Sequence, residues 1–148
     1  MGRMIVIDGL DGSGKATQAE LLKKRLKEKG YEIFSLDLPY YSDPSSTLVK
    51  MYLSGELGDK PDDVNCYAAS SFFAVDRYAS FKKHWEKEYN SDKIVVANRY
   101  TTSNACHQMT KLDESKWDSY MEWLFDFEYN KFGVPFPDCV IFLEMPVE

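Results

Sequence analysis

The residues with the clearest chemical purpose stand near the start of the chain, in IVIDGLDGSGKATQ at residues 5–18. Gly9 and Gly14 bracket four residues and Lys15 follows at once, the spacing of a phosphate-binding loop. Glycines let backbone N–H groups turn inward around phosphate oxygens. The N-terminus of a following helix adds partial positive charge, and the lysine reaches the transferable phosphoryl group. The candidate cradle is Gly9, Leu10, Asp11, Gly12, Ser13, Gly14, Lys15, Ala16 and Thr17. Ala16 lacks the hydroxyl that many such loops offer to Mg²⁺. A metal would then rest on nucleotide phosphates, water and a carboxylate, for which Asp11 is a candidate.

A loop of this kind works only between a strand and a helix, and the sequence supplies both. Met4 to Asp8 is a short apolar run ended by Gly9, and Lys15 to Lys29 carries Ala19, Leu22 and Leu26 at helical spacing before Gly30. YEIFSLDLP reads as a second strand closed by Pro39. Residues from Ser46 to Leu53 read as a helix, capped by Ser45 or Ser46 and ended by Gly55. Pro61 opens a long helix with Asp62 and Asp63 in its first turn, reaching Glu88 or Tyr89. KIVVAN is a strand buried on both faces. Asp113 caps a helix bearing Trp117, Tyr120, Met121, Leu124 and Phe127, which Gly133 and Pro135 terminate, and CVIFLEM is a fourth buried strand.

Strands alternating with helices predict an α/β fold with a mostly parallel sheet in one domain spanning 1–148. Ligands in such folds sit beyond the carboxyl ends of the strands. GLDGSGK, PYYSDPSS, NRYTTSN and EMPVE leave those ends and should share one rim.

With 148 residues, 44% of them hydrophobic, the chain can bury a core. A net charge of −6 argues against binding to nucleic-acid backbones, which needs many basic contacts. Cys66, Cys106 and Cys139 form no Cys-x-x-Cys pair, so reduced thiols in a cytoplasmic protein are the simplest reading. No apolar run is long enough for a membrane helix, and no membrane association is expected.

Four segments in order, IDGLDGSGKATQ, FFAVDRYAS, VVANRYTTSNACHQ and GVPFPDCVIFLEMPVE, resemble thymidylate kinases, P-loop enzymes that phosphorylate dTMP from ATP. The resemblance implies a P-loop NTPase-type three-layer α/β/α fold, ATP and dTMP as substrates, Mg²⁺ bound with ATP, and a homodimer formed through the aromatic helix around Phe72 to Phe81. Gly9 to Thr17 become the ATP-binding residues, with Lys15, Asp11 and Arg99 catalytic. Asp11 matches the loop carboxylate near the substrate 3′-hydroxyl and metal region. Phe73 matches the aromatic stacked on thymine, and Arg77 the arginine that recognises a thymine carbonyl; the plainer alternative for Arg77 is a solvent-facing partner of Asp76. Arg99 matches the arginine that grips the acceptor phosphate. Ser103 and Asn104 match a pair at the base edge, with turn formation as their alternative. His107 falls where many members place a tyrosine beside the sugar.

Three departures stand out against that family. Asn98 replaces the usual Asp before Arg-Tyr, removing a negative charge near the transfer centre. Tyr40 and Tyr41 follow Pro39 where an arginine is common. The chain stops at Glu148, so the last strand and an arginine-bearing lid are missing, as expected of a piece of a longer enzyme. Two alternatives stay open: a deoxynucleoside kinase, weakened because Leu38-Pro39-Tyr40-Tyr41 offers no carboxylate base, and a noncatalytic nucleotide-binding or dimerisation module.

Overall fold

The computed structural model describes residues 2–146, and their contacts divide them into two compact units. The first comprises residues 2–38, 84–100 and 135–146; the second comprises 39–83 and 101–134.

The first unit is built on a sheet of four parallel strands in the order β2-β3-β1-β4: β1 Arg3–Gly9, β2 Ile33–Asp37, β3 Ile94–Asn98 and β4 Cys139–Leu143. β1 and β3 run side by side with Ile7 opposite Asn98, while Asp37 at the end of β2 faces the same Asn98. The central pair is apolar because it is covered: Met4, Val6, Ile7 and all of Ile94 to Ala97 are buried. Helix α1, Lys15–Glu28, packs against β1, β2 and β3. Trp85 and Tyr100 meet edge to face at 6.4 Å, both buried, and the Tyr100 hydroxyl donates to the Pro135 carbonyl at 2.7 Å.

β4 corrects one expectation. It pairs with β1 at the sheet edge, and Val140, Ile141 and Phe142 are exposed, Phe142 by 53%. An apolar run signals a strand but not whether that strand has neighbours on both sides. Its start is fixed by Asp138, whose carboxylate accepts from Met4 N at 2.7 Å and whose N–H donates to Met4 O at 2.9 Å. Of EMPVE, Val147 and Glu148 lie outside the described residues.

The second unit is helical. It contains α2 Thr47–Leu53, α3 Cys66–Ser80, α5 Thr101–Met109 and α6 Trp117–Phe125, with α4, Glu86–Tyr89, belonging to the first unit. Cys66, Ala105, Tyr120 and Leu124 form its core, packed against by Met109, Leu112, Met121 and Trp123. The Ser70 and Tyr120 hydroxyls meet at 2.5 Å inside it.

The long helix expected from Pro61 is not continuous. Pro61–Asp63 is a single tight turn, closed by the Asp63 carboxylate accepting from Lys60 N at 2.9 Å. Val64 and Asn65 are extended, and Asn65 caps α3 by accepting from Ala68 N at 2.9 Å. Asp63 therefore serves a local turn, in competition with helix formation. After Ser80 the chain widens into a π-helical turn, Phe81–Trp85, before α4. Asp43, rather than Ser45 or Ser46, provides the cap ahead of α2, accepting from Ser45 N at 3.0 Å. NRYTTSN, read as a rim loop, enters α5 at Thr101. The buried positions of that helix include the polar Thr101, Ser103, Asn104 and Gln108, which hides its amphipathic period. No helix among the described residues is long and apolar enough to cross a membrane.

Candidate active site

The loop between β1 and α1 needs its glycines for backbone reasons. Gly9, Gly12 and Gly14 hold φ of +148°, +78° and +90°, conformations that L side chains rarely adopt. At Gly9 space is also limiting: a Cβ would lie 2.7 Å from Leu143 O and 2.9 Å from Ser13 Oγ. Gly14 precedes α1 in the left-handed conformation and brings no capping side chain, which leaves the first-turn N–H groups to an anion.

Lys15 is only 7% exposed. Its ammonium folds back over the loop and donates to the carbonyls of Gly9 at 2.9 Å and Leu10 at 2.7 Å. It also stands 3.8 Å from Asp11 Oδ1, and the same oxygen is ion-paired with Arg99 Nη2. Lys15 and Asp11 of the loop are thus joined by Arg99, 88 residues from Asp11 in sequence, where β1 and β3 end. Arg99 is the single non-glycine residue of positive φ among the described residues, at +70°, and its N–H donates to Ile7 O at 3.0 Å. That twist directly after β3 is the kind of strain that gathers at functional sites.

Around this cluster lie further oxygen donors. Asn98 Oδ1 and Ser13 Oγ are buried without a hydrogen-bond partner. Asp8 is buried, and its Oδ1 accepts from Gly9 N at 2.9 Å. A cavity of about 120 Å³ lined by Ala16, Glu20, Asp37 and Asn98 among others opens beside α1, where Ala16 contributes only a methyl group. No cluster of three or more His, Cys, Asp or Glu suited to a metal occurs among the described residues. Sparse hard oxygen donors with room for water nevertheless fit Mg²⁺, which keeps several of its own waters and takes phosphate oxygens.

The residues matched to base recognition lie in the helical unit. Phe73 is half-buried and meets the Tyr52 ring edge-on at 6.2 Å; Phe72 is equally half-buried and tilted on Tyr52 at 6.4 Å. The Tyr52 hydroxyl receives Lys111 Nζ at 2.9 Å and Gln108 Nε2 at 3.5 Å. Burial pushes the ionisation of Tyr52 up, but these hydrogen bonds and the Lys111 charge outweigh it and hold the phenol below its usual range. Ser103 and Asn104 are not turn residues but buried positions of α5. Asn104 Nδ2 donates to Ser70 O at 3.1 Å, while its Oδ1 is buried without a partner. His107 is exposed on the same helix. Tyr40 is half-buried and Tyr41 exposed.

Arg77 is buried rather than solvent-facing, and it pairs with Glu128. Its Nε and Nη2 donate to the Glu128 carboxylate at 2.5 and 3.3 Å. Asp76 accepts from Tyr40 N at 2.8 Å and Ser45 Oγ at 2.7 Å. Glu128, Tyr52, Gln108 and Lys111 escaped sequence reasoning. For Glu128 a signal existed: it continues the four-residue spacing of buried Tyr120 and Leu124, so it falls on a covered face.

The thymidylate kinase family model matches residues 7–148. A probable thymidylate kinase of Thermococcus gammatolerans is 34% identical over 151 residues, covering 100% of this chain and 68% of that protein. A thymidylate kinase of Mycobacterium tuberculosis is 30% identical over 146 residues, with 98% and 67% covered. The chain thus spans about two thirds of the length of these curated relatives. Among solved structures, thymidylate kinase from Candida albicans aligns with a TM-score of 0.69 at 24% identity, covering 97% of this chain and 63% of that one. The enzyme from Ehrlichia chaffeensis aligns with a TM-score of 0.72 at 23% identity, covering 97% and 73%. The solved structures establish a shared α/β, P-loop NTPase fold. The match in sequence runs from inside the first strand to the last residue, and the chain belongs to the thymidylate kinase family.

Proposed function

We propose that the chain transfers the γ-phosphoryl group of MgATP to the phosphate of dTMP, giving dTDP and ADP in the synthesis of dTTP. The observation that carries this reading is the meeting of Lys15, Asp11 and Arg99 beside the glycine loop, in a member of a family of kinases. Loop N–H groups and Lys15 hold the donor phosphates. Arg99, through a fork of donors suited to phosphate, holds the acceptor. An acceptor phosphate oxygen attacks the γ-phosphorus in line as the bond to the β–γ bridging oxygen breaks, so catalysis is placement and electrostatic stabilisation, with no covalent enzyme intermediate. Asp11 spaces the two cations before substrates arrive. Asn98 Oδ1 and Ser13 Oγ, with Asp11 as the loop carboxylate, are the residues that would hold Mg²⁺. Bound there, the metal neutralises charge on the phosphate oxygens.

Phe73 stacks on the base, Arg77 donates to a base carbonyl, Ser103 and Asn104 face the base edge, and His107 lies toward the sugar. Asn104 Oδ1, without a protein partner, is an acceptor suited to a base N–H. The two compact units serve one kinase domain. A homodimer through α3, whose Tyr67, Val75 and Tyr78 are exposed, and a cytoplasmic location complete the reading.

ADP release measured with dTMP, with thymidine and with no acceptor tests it. Turnover with dTMP alone is expected; turnover with thymidine would favour a deoxynucleoside kinase, and ATP binding without any turnover a noncatalytic module.

A further inference from the structure

Arg77 is 3% exposed, and Glu128, whose carboxylate receives its Nε and Nη2, is wholly buried. Two bonds along one edge of a planar, rigid fork fix the plane of the whole group and so the direction of its other N–H bonds. A buried ion pair gains little over apolar packing of the same volume, so stability alone explains the pair poorly. Both partners adjoin irregular helix. Arg77 lies in the last turn of α3, just before the π-helical turn Phe81–Trp85, and Glu128 lies inside a second π-helical turn, Asp126–Lys131. Such turns are rare and recur at functional sites. The second is pinned at its end by Val134 N donating to Glu128 O at 3.1 Å, just after Gly133 at φ +72°.

We propose that Glu128 is a positioning residue for base recognition, fixing the plane of Arg77 and cancelling its charge so that the arginine selects a pyrimidine carbonyl. The inference rests on the reading above that Arg77 meets the base. An arginine carries donors only. A 4-carbonyl accepts from it, whereas the 4-amino group of cytosine confronts it donor to donor. With its charge balanced by Glu128, the guanidinium attracts a phosphate less strongly.

The test is calorimetric titration of the full chain and of Glu128→Gln and Glu128→Asp with dTMP, dCMP and ATP, beside thermal melting. Glu128→Gln should weaken dTMP binding about tenfold, the scale of one misplaced hydrogen bond, while ATP affinity stays within about twofold. The preference for dTMP over dCMP should narrow in step, and Glu128→Asp, which keeps the charge but shortens the reach, should fall between. Unchanged dTMP affinity in folded Glu128→Gln, or equal losses for dTMP and ATP, overturns the proposal. If Glu128→Gln does not fold, the selective loss must appear in Glu128→Asp; failure of both to fold makes Glu128 a folding residue and also overturns it. A wild-type chain that binds ATP but not dTMP overturns the functional reading, and this inference with it.

Discussion

Tyr120 ties α3 and α6 together in the core of the helical unit, and its ionisation should be visible as alkaline instability. The side chain is fully buried, its hydroxyl meets Ser70 at 2.5 Å, and the Ser70 carbonyl holds Asn104. Desolvation, partly offset by the Ser70 bond, pushes its pKa from 10.0 to about 12. A raised pKa in the folded state means that folding favours the protonated phenol. The stabilisation is therefore fully present below about pH 10 and is lost as pH climbs toward about 12. That rise corresponds to about 3 kcal/mol, a substantial share of the roughly 5–15 kcal/mol typical of a domain. Tyr120→Phe removes the titration but leaves Ser70 Oγ buried without its partner, a cost of about 1–3 kcal/mol at neutral pH. Urea unfolding followed by tryptophan fluorescence from pH 8 to 12 should show the variant less stable at pH 8, with the gap closing or reversing near pH 12. Other tyrosines titrate in both proteins and cancel in the comparison. Parallel stability curves across that range would refute the reasoning.

Two further substitutions probe the phosphate end. Lys15→Met should reduce turnover by about a thousandfold or more, the scale of losing a preorganised charge at the transferred group, and near-normal ADP release would refute the role given to Lys15. Asn98→Asp adds a negative charge at the end of β3 and should lower the Mg²⁺ concentration needed for half-maximal ATP binding about tenfold. ATP calorimetry across a magnesium series checks this, and an unchanged midpoint would remove Asn98 from the metal's surroundings.

Much of the candidate phosphate site was legible because it is local. Strand, glycines, lysine and helix are contiguous, and each residue type is dictated by backbone geometry or charge, so Gly9, Gly14 and Lys15 could be placed before any coordinates. Arg99 was legible for a related reason: a charge after the apolar IVVA has to emerge at a strand end. What stayed hidden depends on tertiary partners. The burial of Arg77 requires Glu128, 51 residues away, and no spacing rule joins them. The helix at Thr101 buries polar side chains, so apolar periodicity could not reveal it. The helix expected from Pro61 failed because Asp63 found a nearer hydrogen bond than a helical turn could offer. Burial of β4, apolar in composition, depends on neighbours outside its own residues, and among the described residues it pairs with β1.

Under the role proposed for Arg99, its positive φ sets thermal robustness against catalysis. A left-handed backbone at a non-glycine residue stores roughly 1–3 kcal/mol. Glycine at this position would relax the twist while discarding the proposed grip on the acceptor. Directed evolution for heat resistance alone should therefore drift toward hardier, idle proteins at this residue, and any such campaign needs an activity counter-screen.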